Sequence, residues 1–132
     1  MKKIAGISLL AIAAACTPVA PAELTAGEQS ELSAALAGRS AGAAASCVTQ
    51  RTLRGNRSIG EGAILFESHG GMVYVNRPAG GCPSLEPGKT LLTRNSGMQL
   101  CRGDVVTVVD AFSGTHYGSC ALGDFTPYRR IR

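Results

Sequence analysis

Five cysteines, Cys16, Cys47, Cys82, Cys101 and Cys120, are the residues of this chain best equipped for chemistry. Cys16 closes the run Ala13-Ala14-Ala15-Cys16. Small residues directly ahead of a thiol form the pattern of a bacterial lipobox, in which the sulfur takes a diacylglycerol and the cysteine becomes the new N-terminus. Ala13 stands where that pattern usually has Leu, and ordinary signal-peptidase cleavage after Ala15 or Ala22 is the competing reading. With Cys16 assigned to lipid, four cysteines remain, an even number able to pair in an oxidising compartment. Three connectivities are open. The nested one, Cys47–Cys120 with Cys82–Cys101, is expected because it joins the first strand to the last. The sequential one, with Cys101 bonded to Cys120, is its competitor.

Other reactive-looking segments lack a necessary residue. Gly88-Lys89-Thr90 has the end of a phosphate-binding loop, but the glycine required five positions earlier is Pro83. Ser68-His69-Gly70-Gly71 resembles the Ser-His-Gly-Cys segment of L,D-transpeptidases, yet Gly71 occupies the nucleophile's place, and without a thiolate there is no acyl transfer. His69 and His116 could ligate a metal only with distant help from Asp104, Asp110 or Asp124, at no metal-binding spacing. No Gly-x-Ser-x-Gly occurs, and the nine acidic residues form no paired-carboxylate constellation. Asn56-Arg57-Ser58 is a glycosylation sequon by letter and a turn by context. No catalytic residue, metal or cofactor is therefore assigned. The enzymatic alternative is an envelope hydrolase whose pocket gathers at least two of His69, His116, Asp104, Asp110 and Glu67.

The elements that would position these residues follow from pattern. Met1-Lys2-Lys3 and the apolar run 4–15 make a signal peptide too short to span a bilayer. Residues 17–22 read as a Pro/Ala-rich tether. Thr25-Ala26-Gly27-Glu28 fits a capping box, and Leu32, Ala35 and Leu36 share one face, so a helix is expected over 26–37 with Gly38 at its end. Residues 39–46 read as linker. Strands are expected at 48–53, 63–67, 72–76, 90–93, 104–110 and 116–122, with turns at 54–57 and 95–97. The valines of 104–110 make that strand the most central. The fold class is mainly β (α+β): a small six-stranded antiparallel barrel or sandwich preceded by one N-terminal helix and held by two disulfides. The domains are signal peptide 1–15, lipobox cysteine with tether and helix 16–46, stapled β-domain 47–128, and basic tail 129–132. That tail is either solubilising or in contact with anionic headgroups.

Composition narrows the function. Hydrophobic content of 45% against 17% charged excludes a disordered polyelectrolyte. The chain has no Trp and only 5% aromatic residues, which argues against a stacking platform for sugars or single-stranded nucleic acid. Thirteen basic residues less Lys2 and Lys3 leave 11 against 9 acidic ones. Arg39, Arg51, Arg54, Arg57, Arg77, Arg94 and Arg102 are scattered, as on a solvated surface, and no nucleic-acid partner is expected.

Several stretches carry a family resemblance: Cys47-Val48, Leu53-Arg54, Ala63-Ile64-Leu65-Phe66-Glu67, Tyr74-Val75-Asn76-Arg77-Pro78, Gln99-Leu100-Cys101 and Leu122-Gly123-Asp124-Phe125-Thr126-Pro127-Tyr128, with Leu36-Ala37-Gly38-Arg39 ahead of them. Together they resemble a family of small exported proteobacterial proteins. The resemblance implies export and the domain limits, and carries over no catalytic residue. The expectation is an exported envelope protein, periplasmic or outer-membrane anchored through lipid on Cys16. Its non-catalytic β-domain, with Cys47, Cys82, Cys101 and Cys120 in disulfides, would bind or brace an unidentified envelope protein or ligand. A small inhibitor of cell-wall lytic enzymes is a further alternative, though a mature charge near +2 has the wrong sign for attracting basic lysozymes.

Overall fold

The apolar runs 63–66 and 72–75 fall inside a five-stranded antiparallel sheet. The computed structural model describes Ile12, Ala14, residues 19–93 and residues 97–132. Cys16, with the lipobox and most of the signal segment, lies outside the described residues, as do Asn95 and Ser96 of the expected 95–97 turn. The described chain holds one helix, α1 (Ala26–Ala35), and ten strands: β1 (Arg39–Ala41), β2 (Cys47–Thr49), β3 (Leu53–Ile59), β4 (Ala63–Ser68), β5 (Val73–Asn76), β6 (Lys89–Thr93), β7 (Gln99–Cys101), β8 (Val105–Asp110), β9 (His116–Ala121) and β10 (Phe125–Arg130). They form sheets of order β1-β10-β5-β4-β3, β6-β8-β9 and β2-β7. The mainly β class with one helix and two disulfides stands. The sheets are open, so no barrel closes, and the strands outnumber the six expected.

Strand β4 is buried on nearly every residue because both its faces are covered. Ile64 and Phe66 point into one cluster with Val106 and Val108 of β8, Leu100 of β7, Val48 of β2 and Phe125 of β10. Leu65 and Ala63 point the other way, with Val73 and Val75 of β5, towards Leu32 and Ala35 of α1 and Leu36 just after it. Period-2 alternation thus lets one sheet serve two cores. Phe125 is fully buried and meets the Phe66 ring at 5.5 Å and the Tyr74 ring edge-on at 6.5 Å. Such pairs add about 0.5–1.5 kcal/mol beyond their buried area.

The helix begins as expected. The Glu28 N–H donates to Thr25 Oγ1 and the Thr25 N–H to Glu28 Oε2, each at 3.2 Å. It ends two residues early, capped at Leu36, and Gly38 follows with φ +72°. The hairpin of β4 and β5 turns through Gly71 at φ +81°, a conformation that favours glycine. Strand β8 is the middle strand of its own small sheet, and the five-stranded sheet holds the deeper strands.

Several segments differ from expectation. The expected 48–53 strand is divided into β2, a 3-10 turn over Gln50–Thr52 and the first residue of β3. The 54–57 turn is part of β3, an edge strand where Gly55 and Asn56 face solvent and Arg54 forms a bulge. The 39–46 linker contains β1. The first half of the basic tail, residues 129 and 130, ends β10, which lies inside the sheet between β1 and β5.

Candidate binding surface

The four framework cysteines are paired, but neither in the nested nor in the sequential order. Cys47 bonds Cys101 and Cys82 bonds Cys120, so the two loops interleave. Cys47 and Cys101 are direct Cα partners in the β2–β7 ladder, 4.0 Å apart, which makes their disulfide a cross-strand staple. The Asp104 carboxylate accepts the Cys101 N–H at 2.8 Å and steadies that turn. Cys82, fully buried in the loop after β5, reaches Cys120 on β9 and so ties the five-stranded sheet's exit to the three-stranded sheet.

The expected tether is docked, not free, from Ala20 onward. Pro21 bridges Ala79, and the Gly80 N–H donates to Ala20 O at 3.0 Å. Arg77 Nη2 donates to Ala22 O at 2.7 Å while its Nε donates to Gly62 O at 2.8 Å. Glycines make the seat. A Cβ on Gly62 would come within 2.7 Å of Leu24, and one on Gly81 within 2.9 Å of the Ala22 methyl. Behind this seat the buried Asn76 amide donates to Gly123 O at 2.8 Å and accepts the Gly123 N–H at 2.9 Å, joining β5 to the entrance of β10.

The residues proposed for a hydrolytic site are dispersed. His69 is exposed in the β4–β5 turn, where its N–H donates to Thr52 O. Glu67 pairs with Arg54 at 3.2 Å on the exposed edge beside it. Asp110 and His116 share the β8–β9 hairpin, but Asp110 caps its tip, accepting the N–H groups of Phe112 and Ser113 at 2.8 Å each. Those two bonds, that from Ser113 first, hold the Asp110 carboxyl below its ordinary value of 3.8. Asp124 pairs with Arg102 at 3.4 Å. Among the described residues no three His, Cys, Asp or Glu side chains gather as a metal would require.

What the fold does bring together is positive charge. Residues 129 and 130 end β10, residue 39 begins β1, and Arg39 pairs in register with Arg130. Arg39 Nη1 donates to Gly71 O at 2.7 Å and lies 3.4 Å from Tyr128 O, locking the β4–β5 turn against β10. Beside this lock opens a cleft of about 500 Å³ lined by Gly70, Gly71, Met72, Arg129, Arg130 and Arg132 among others. Among the described residues, none of these three arginines has an ion-pair partner. The run Tyr128-Arg129-Arg130-Ile131-Arg132 is the sequence signal for this corner, and the pairing of β10 with β1 brings Arg39 to it. No family model, curated protein or solved structure matches this chain.

Proposed function

We propose that this chain is an exported envelope protein, anchored by lipid on Cys16, whose disulfide-held β-domain binds or braces envelope material without catalysing a reaction. The observation that carries the reading is the interleaved pair of disulfides, chemistry suited to an oxidising compartment outside the cytoplasm. Spending all four framework cysteines on each other also leaves Cys16 as the odd thiol, which lipid attachment would use. The carboxylates with catalytic potential are engaged in structural roles. Asp104 and Asp110 cap turns, and Glu67 and Asp124 sit in exposed ion pairs. In this reading the sheets act as an open sandwich with α1 as an outer layer, and membership of the exported family suggested by the sequence belongs to the same proposal.

The test is metabolic labelling with palmitate in cells expressing the chain and its Cys16→Ala variant. The wild type takes up label and the variant does not. An unlabelled wild type, made beside a lipoprotein that does label, would remove the anchor.

A further inference from the structure

We infer that the Arg129–Arg130 corner is a docking surface for an acidic polysaccharide, presented on the side of the domain away from the anchoring membrane. The orientation rests on the lipid anchor proposed above; the chemistry of the surface does not.

The geometry comes from the two ends of β5. The N-terminal arm docks at Ala79 and Gly80, just beyond the strand's C-terminal end, while Gly71 and the arginine cleft lie before its N-terminal end. The five residue steps from Met72 to Arg77 separate these ends by about 15–20 Å. Helix α1 repeats the separation: the chain before it docks at the first end, and Leu36 and Gly38 lead into Arg39 at the second. Only four residue steps connect Cys16 to the docked Ala20, a reach of at most about 14 Å. A lipid on Cys16 keeps the arm end within that reach of the bilayer, and in the inferred orientation the arginine corner, at the other end of β5, faces outward. The headgroup contact considered for the basic tail is thus disfavoured for the membrane that carries the anchor.

The chemistry comes from residue type and strand parity. Successive strand residues alternate faces. Arg130 shares the helix-side face with Tyr128, and Arg129 shares the opposite face with Phe125. Guanidinium groups consequently flank the sheet end on both sides, an arrangement suited to a chain laid across the corner more than to a plane. Their planar forks match carboxylate and phosphate oxygens. The lock formed by Arg39 keeps the cleft floor in place before any ligand arrives. Recognition would run through charge, consistent with a chain that has no Trp to stack on sugar rings.

The experiment uses the full-length exported protein with its disulfides intact, and the double variant Arg129→Gln/Arg130→Gln. Probes are polygalacturonate for carboxylate, phosphorylated dextran for phosphate, neutral dextran, a DNA duplex, and phosphatidylglycerol vesicles. Wild type binds at least one acidic glycan and ignores neutral dextran, with affinity falling as salt rises. The double variant binds about tenfold more weakly at an unchanged melting temperature. Lipidated protein inserted in vesicles still captures the glycan. Three results would overturn the proposal: no glycan binding, glycan binding indifferent to the two substitutions, or DNA or vesicles bound as tightly through the same arginines. Loss of capture once the protein is in vesicles would overturn the orientation. Palmitate labelling reads the anchor independently, so failure of the glycan assay leaves that result standing.

Discussion

Removing Cys82–Cys120 should destabilise the protein more than removing Cys47–Cys101, although it opens the shorter loop. The bonded residues are 38 positions apart in the first case and 54 in the second. Loop-closure entropy assigns each bond about 4 kcal/mol, with the longer loop ahead by only about 0.3 kcal/mol. Burial acts in the opposite direction and is larger. Cys82 is 0% exposed and Cys120 7%, and both belong to the main core, whereas Cys47 and Cys101 are half-buried at its margin. Replacing the buried pair with alanine deletes two sulfurs from a packed interior, worth about 1–2 kcal/mol in transfer and cavity energy. The oxidised Cys82→Ala/Cys120→Ala variant should therefore lose about 5 kcal/mol in urea unfolding, and Cys47→Ala/Cys101→Ala about 4 kcal/mol. Because such losses approach the whole stability of a small domain, the ordering can be read in sulfate, which strengthens burial for both variants alike. If the Cys47–Cys101 deletion proves costlier by 1 kcal/mol or more, on the order of the burial term itself, the core placement of Cys82 is wrong.

Three further outcomes follow from the same contacts. Trypsin cutting after Arg39, Arg51, Arg57, Lys89, Arg94, Arg102 and Arg129 separates the framework cysteines. Non-reducing mass spectrometry should join peptide 40–51 to peptide 95–102, and the Cys82 peptide to the Cys120 peptide; a 40–51 to Cys120 linkage would restore the nested order. Asn76→Ala leaves the Gly123 N–H and C=O without their partner, a loss of about 2–4 kcal/mol in urea unfolding, and a change under 1 kcal/mol, less than one ordinary hydrogen bond, would mean water replaces the amide. Asp110 has a lowered folded value, so its contribution to stability is present above its ordinary value of 3.8 and lost as pH falls through the lower folded one. Asp110→Asn should flatten that part of the acid limb of the urea midpoint, and an unchanged limb would refute the tip cap.

The hairpin and helix were legible because their signals are local. The capping box at Thr25 and Glu28 needs three intervening bonds of chain, and the Gly70-Gly71 turn needs only the two apolar runs beside it. Strands β3 and β10 carry misleading local signals. Gly55-Asn56 looks like a turn, but an edge strand tolerates such residues when its partner β4 is strongly apolar. Pro127 argues against an inner strand, yet β10 lies between β1 and β5, and its proline still offers a carbonyl, which accepts the Gly42 N–H at 2.7 Å.

The disulfide order and the arginine corner were hidden for one common reason: both depend on which distant strands become neighbours. The nested scheme assumed that the last cysteine-bearing strand would lie beside the first. Instead β2 pairs with β7, a three-residue strand too short to announce itself, and that pairing places Cys47 directly opposite Cys101. Cys120 then faces inward next to Val106 on a different sheet, where Cys82 is the thiol within reach. Similarly, Arg39 and Arg130 are 91 positions apart in the chain and meet only because β1 and β10 are antiparallel partners. A charge count over sequence windows sees a linker arginine and a basic tail. The sheet turns them into one corner, at the far end of β5 from the docked arm.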